Sequence, residues 1–206
     1  MLKKAIFAGS LALILGACNS SDSSGSGLRN LTDEDVRESG IAQTWKSDCQ
    51  NISLDLFGLA AQKEEYRIGG DIRKVTTYYE TNECKDAIIE VQETGTYGNV
   101  DKSNDNWEID INWKTVEMKP VNDRGSEILQ TISFCQFTDW PKDQFQNITD
   151  KTSENPVLDR CWTKTPRDQY DLFQIRDGVL YFGQSADKST PEGRPTAIDE
   201  SVPYRK

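Results

Sequence analysis

The chain has 206 residues, with 24 Lys+Arg against 34 Asp+Glu, a formal net charge of −10, five Cys and no His. That length fits one domain with appendages, or two small domains at most, and the missing His excludes a Ser-His-Asp triad, a Cys-His dyad and every His-based zinc or haem site. The acidic balance sets the chain against phosphate backbones, so nucleic acid is not an expected partner, and no apolar run reaches the roughly 18 residues that span a bilayer.

Residues 1–17 have the layout of an export signal. Lys3 and Lys4 precede an apolar stretch, Ala5 to Leu15, that is too short for a stable membrane span. The segment closes on Leu15-Gly16-Ala17-Cys18. This resembles the lipobox of bacterial lipoproteins. The resemblance implies cleavage before Cys18, a diacylglyceryl group on its thiol and an acyl chain such as palmitate on its amine. Two or three chains anchor stably, because each buried CH₂ contributes about 0.8 kcal/mol. By the same resemblance Asn19 implies sorting to the cell outer membrane. A Gram-positive host would instead hold the protein on the outer face of its cytoplasmic membrane. Residues 18–27 then form the lipidated Cys and a Ser/Gly tether, and nine such residues reach about 15–18 Å as a coil. Losing residues 1–17 removes Lys3 and Lys4 and no acid, which takes the net charge from −10 to −12. Anionic headgroups would repel such a chain, so the acyl chains are the expected membrane contact.

Residues 28–206 read as one domain. Leu31-Thr32-Asp33-Glu34-Asp35-Val36 has capping and staple spacing, which predicts a helix over 33–39, and Gly40 is a suitable stop. The period then changes to two. Val75, Thr77 and Tyr79 alternate with Lys74, Thr76 and Glu80. Ile89, Val91, Gly95 and Tyr97 share one face of a long strand, interrupted by Glu93. Trp107, Ile109, Ile111 and Trp113 alternate strictly with polar residues, as in a half-buried strand. Val116 and Met118 are out of phase with them, which predicts a β-bulge near Lys114–Thr115. Ile128, Ile132 and Phe134 suggest a further strand. Residues 138–168 look like a long insertion, with a short helix after Pro141. Asp177-Gly178 between apolar-rich runs predicts a hairpin with a type I′ turn. Eight or nine strands with short turns make a mainly β fold, an antiparallel barrel, with a β-sandwich as the alternative.

Four cysteines remain for the folded part: Cys49, Cys84, Cys135 and Cys161. An exported chain matures in an oxidising compartment, so an even count suggests two disulfides. Three pairings are possible. Cys49–Cys84 with Cys135–Cys161 is favoured because each closes a local loop, worth roughly 3.5–4 kcal/mol in the chain-entropy model. With no C-x-x-C and no His, a zinc or redox centre is not expected, nor any other cofactor. The staples matter because Leu, Ile, Val and Phe supply only 37 of the 189 residues from Cys18 onward, close to the level at which chains fail to fold.

Gln43-Thr44-Trp45-Lys46-Ser47, on the first strand of an all-β domain, resembles the opening of lipocalin-type (calycin) barrels. In that family a Trp closes one end of the barrel and an Arg from late in the chain packs over it. The resemblance makes Trp45 and Arg194 the barrel-closing pair, with Arg205 as the other candidate for the Arg.

The stripe Trp107, Ile109, Ile111 and Trp113 is either core or the lining of a cavity for a small apolar or amphipathic ligand. Asp101-Lys-Ser103-Asn-Asp105-Asn106 has the rhythm of a calcium loop, but Asn106 and Asn112 stand where Gly and Glu are needed, so it reads as a polar hairpin turn and no metal is expected. Neighbouring carboxylates such as Glu108 and Asp110 are chance pairs in so acidic a chain, and no catalytic residue is assigned. The expected function is that of a non-enzymatic, lipid-anchored module that binds a small ligand. The alternative is an envelope interaction protein whose barrel is a scaffold and whose surface, or 138–168 insertion, docks a protein partner.

Overall fold

The computed structural model describes residues 33–54, 57–151, 162, 167–184 and 187–206. The lipobox, the tether and Cys161 lie outside the described residues. The elements in chain order are α1 (Asp33–Ser39), β1 (Thr44–Ser47), β2 (Gln50–Leu54), β3 (Leu59–Ile68), β4 (Ile72–Tyr79), β5 (Ala87–Ser103), β6 (Asn106–Pro120), α2 (Asp123–Thr131), β7 (Gln146–Asn147), β8 (Arg167–Arg176), β9 (Val179–Phe182) and β10 (Tyr204–Arg205).

Eight strands close an antiparallel barrel in the order β1-β10-β9-β8-β6-β5-β4-β3, and β1 seals it by pairing with both β3 and β10. Trp45 sits opposite Tyr66 in one seam and Ser47 opposite Tyr204 in the other. Two further strands lie off the barrel: β2 extends β3, and β7 adds to β6. Closure leaves the barrel itself without an unpaired edge.

The local signals explain much of this. Gly40 ends α1 with φ +68°, a conformation open to glycine. Asp177 and Gly178 both have positive φ (54° and 76°), as a type I′ turn between β8 and β9 demands. Asn104-Asp105 turn β5 into β6, so the calcium-like stretch is indeed a polar hairpin. The β5–β6 register steps from Thr94↔Thr115 to Gly95↔Trp113 and skips Lys114. That bulge rotates β6, so that Ile109, Ile111 and Trp113 point inward below it and Val116 and Met118 point inward above it.

Two expected elements are different. Residues 128–134 do not form a strand: Ile128 and Leu129 belong to α2. Asn122 starts that helix by accepting the N–H of Gly125 at 2.8 Å, and Gly125, Ile128 and Leu129 share its buried face at helical spacing. Nor does a helix follow Pro141. Asp143 takes a left-handed φ of 59° and sends its N–H across to Pro120 O at 2.9 Å, so the donor leaves the helical ladder.

The described residues form two apolar cores. One fills the barrel at the α1 end with Ile41, Trp45, Ile68, Ile72, Ile109, Ile111, Phe173 and Leu180. The other joins Tyr78, Ile89, Val91, Val116 and Met118 to Leu129, Phe134, Trp140 and Ile148 from the segment after β6. That segment is therefore half of a core and not an appendage. A disulfide links Cys49 to Cys84 across 35 residues. Cys135 is also disulfide-bonded.

Gly95 sits where β5 presses hardest on β6. A Cβ there would lie 2.3 Å from Asn112 O and 2.9 Å from Trp113 Cα. Both are backbone atoms and cannot swing away. Gly95→Ala should therefore lower stability by about 1–3 kcal/mol in urea denaturation.

Candidate functional site

Between the two cores the inward faces turn polar. Glu64 on β3, Lys74 on β4, Glu93 on β5 and Arg167, Gln169 and Asp171 on β8 all line one cavity of about 650 Å³. Tyr66, Phe182 and Tyr204 supply its aromatic wall, and Lys188 reaches in from the segment after β9. The lining comes from the start of β8, the end of β9 and the start of β10, so the cavity lies toward the barrel end opposite α1.

The charges are arranged as pairs. Lys74 Nζ is 2.6 Å from Glu64, and the Tyr204 hydroxyl donates to the same carboxylate. Lys74 also stands 5.5 Å above the Tyr66 ring. Arg167 is 2.7 Å from Glu93 and lies over the Trp113 indole at 5.6 Å. Trp113 Nε1 donates to Gln169 at 2.9 Å, and Gln169 Nε2 donates to Asp171 at 2.9 Å. Lys188 Nζ donates to both Asp171 oxygens, at 2.9 and 2.8 Å, and to Gly183 O at 3.0 Å. Asp171 is only 2 % exposed, and Glu93 only 7 %. The strand register makes these meetings possible, since Lys74 is directly opposite both Tyr66 and Glu93, and Arg167 is opposite Trp113.

Tyr66, Phe182 and Tyr204 pack together, with ring centroids 4.9 to 5.5 Å apart. They form the boundary between the polar cavity and the apolar core beneath it.

The expected site residues distribute unevenly over this geometry. Ile109, Ile111 and Trp113 are packed in the core at the α1 end, at most 2 % exposed, and Trp107 stacks on Phe173 at 6.4 Å. None of the four lines the 650 Å³ cavity. The large recess has a polar wall because the register brings charged residues, not this stripe, to its level. Trp45 is fully buried at the closed end, its indole N–H donating to Ile41 O at 2.9 Å. Its expected partner is corrected: Lys206 stands over the ring at 5.6 Å, and Arg194 does not. Pro191–Gly193 turn the chain onto the outer face of the barrel. There Arg194 pairs with Asp110 at 2.5 Å and Glu108 at 3.2 Å and stacks on Tyr170. Arg205 instead pairs with Asp48.

The cavity residues were missed because each breaks the apolar rule. Glu93 read as an interruption, and Lys74 as the solvent face of β4. In fact Ile72, Lys74, Thr76 and Tyr78 face in, while Val75, Thr77 and Tyr79 are only partly buried on the other face. One signal was available: the acid in the apolar alternation Ile89, Val91, Glu93, Gly95.

Among the described residues no group of three or more His, Cys, Asp or Glu side chains is placed to hold a metal ion. No protein-family model matches the chain, and no curated protein matches it.

Burial alone would raise the Glu64 carboxyl. The Lys74 ammonium and the hydrogen bonds from Lys74 and Tyr204 outweigh it and hold the group below its ordinary value of 4.5. Burial would lower Lys74, but Glu64 and Glu93 raise it above the usual lysine range. Tyr66 and Tyr204 are both pushed up, first by burial and then by nearby groups that include Glu64. The linkage follows from the signs. Glu64 contributes stability above its unfolded value and loses it as pH falls through the folded value; Lys74 contributes fully below its unfolded value and loses it only as pH rises through its raised one. Glu64→Gln should cost about 3 kcal/mol at pH 7, because it leaves a buried ammonium without its anion. The gap to the parent protein should narrow at pH 3. Denaturant titrations at the two pH values check both statements.

Proposed function

We propose that this protein is a lipid-anchored envelope module that binds a small amphipathic or polar molecule in the mouth of its barrel. The single observation that carries this reading is the cavity of about 650 Å³ walled by buried ion pairs. An eight-stranded barrel is narrow enough to be filled by side chains or to hold one ligand. Here one end is filled with Ile, Trp and Phe, and the volume left over falls within the usual range for ligand sites. Buried ion pairs add little to stability, and apolar residues of equal volume would serve a scaffold as well or better. A polar wall kept inside a barrel is better explained by what it recognises.

Recognition fits the wall better than catalysis does. Glu64 is held below the carboxylate range, and Tyr66 and Tyr204 are held above the phenol range. A general acid or base works best with a value near the working pH. The closed up-and-down barrel with an N-terminal Trp supports the likeness to lipocalin-type binding proteins. Leu15-Gly16-Ala17-Cys18 and Asn19 support acylation at Cys18 and residence in the outer membrane.

Two measurements test the two halves of the proposal. Cys18→Ser should move the protein from the membrane fraction to the soluble fraction and abolish incorporation of labelled palmitate. Native mass spectrometry of the gently extracted parent protein should reveal a small molecule that leaves on denaturation. A Cys18→Ser product that stays membrane-bound would overturn the anchor.

A further inference from the structure

A second recess, of about 360 Å³, lies on the outer face of β3 and β4. Lys63, Glu65 and Arg67 reach it by alternating with the inward Glu64, Tyr66 and Ile68, and Arg73, Val75 and Thr77 by alternating with Ile72, Lys74 and Thr76. Its place follows from a change of strand partner. β3 pairs with β1 at Glu65, Tyr66 and Arg67, and with β2 at Gln62, Ala61 and Leu59. Between the two ladders Ser47 Oγ accepts the Glu64 N–H at 2.9 Å, and Ser47, Lys63 and Glu64 line the recess there.

Four cations line it: Lys46, Lys63, Arg67 and Arg73. Of the three carboxylates in its wall, Glu64 is answered by Lys74 and Glu90 by Lys119. That leaves Glu65, which Lys46 and Arg67 share at 3.2 and 2.5 Å. Among the described residues Lys63 and Arg73 have no acid. Four cations against Glu65 leave three positive charges over, in a chain whose net charge is −10. The register sharpens this surplus. Arg67 and Arg73 are direct partners across the β3–β4 ladder, so their Cα atoms are about 4.5–5.5 Å apart. Like charges in that relation destabilise a sheet. Arg67 can lean on Glu65, but the half-buried Arg73 has no such outlet. An anion seated between the two turns their repulsion into attraction.

We propose that this recess binds the phosphate group of a compact, dissolved phosphomonoester, held between Arg67 and Arg73, with Lys46 and Lys63 completing the wall. A phosphomonoester carries about −1.5 to −2 at pH 7, which answers more of the surplus than one carboxylate does. Its oxygens also suit the planar N–H forks of two arginines. The volume lies near the lower end of the range for ligand sites and admits a small molecule, not a polymer. The acids elsewhere on the chain do not prevent this, because exposed charges more than about 8 Å away are largely screened at physiological ionic strength. They do oppose the approach of an anionic membrane or a polynucleotide. The site is separate from the ligand site in the barrel mouth, and neither reading depends on the other.

The test is calorimetric titration of the full-length protein, extracted in a neutral detergent, with four probes. Glycerol 3-phosphate is the phosphomonoester, and glycerol is its uncharged body. Acetate is a carboxylate. Glycerophosphoglycerol is the soluble diester headgroup of an anionic lipid and carries a single charge. Glycerol 3-phosphate should bind at one site per chain, about tenfold or more tightly than acetate or the diester, and glycerol should not bind measurably. Binding should weaken as the solution is taken below about pH 6, where the phosphate gains a proton. Arg73→Gln and Lys63→Gln break no ion pair. Arg73→Gln should weaken binding about tenfold, and Lys63→Gln about three- to fivefold. Without ligand, Arg73→Gln should melt no lower than the parent protein, since it removes a like-charge pair. Glycerol 3-phosphate should raise the melting temperature of the parent more than that of the variant. Lys63 is exposed, so Lys63→Gln keeps the test decisive if Arg73→Gln folds poorly. Unmeasurable binding of glycerol 3-phosphate, unaltered affinity in the variants, or acetate or the diester binding as tightly would overturn the proposal and leave the barrel site untouched.

Discussion

Six ionised side chains turn toward the inside of a barrel that could have been filled with hydrocarbon, and the structure depends on their being paired. An isolated buried charge costs several kcal/mol. Glu64, Glu93 and Asp171 are each matched by Lys74, Arg167 or Lys188 within 2.6 to 2.8 Å. The pairing constrains register as strictly as an apolar core does. A slip of one residue between β3, β4 and β5 would turn Lys74 outward and leave Glu64 and Glu93 facing each other without it. The polar belt thus specifies the strand alignment that encloses the cavity.

The belt also requires support on both sides. Toward α1 the barrel is packed with Ile, Trp and Phe, and Tyr66, Phe182 and Tyr204 form the boundary between oil and charge. On the other side β5 and β6 run past the belt and are covered by α2 and the chain that follows it, through Leu129, Phe134, Trp140 and Ile148. The long segment between β6 and β8 is therefore needed to bury the extended ends of those two strands. The Lys114 bulge is the device that lets β6 serve both cores, because it restores inward phase after the belt.

What could be read in the sequence was whatever obeys a local rule. The α1 span, the Gly40 stop, the Asp177-Gly178 turn, the bulge at Lys114 and the Cys49–Cys84 link follow from propensity, φ freedom, periodicity and loop length. Ile128, Ile132 and Phe134 have the even spacing of a strand, but the Asn122 cap decides for helix. The candidate site was nearly illegible, since charges that face inward look like solvent-facing charges until the register pairs them. Arg194 fails for a similar reason: which face of the barrel a late segment crosses is decided by tertiary packing, and here it meets Asp110 and Glu108 on the outside.

The position of the cavity bears on the kind of ligand it can receive. The cavity and α1 lie at opposite ends of the barrel. A barrel that extracts lipid needs an apolar rim that can meet the membrane. This rim carries Asp168, Asp187 and Asp199, which anionic headgroups would repel. On the proposed reading, the charge of the rim favours a ligand that arrives dissolved. For such a ligand the desolvation of its polar groups must be matched by groups already in place, and paired acids and paired bases are what the wall offers.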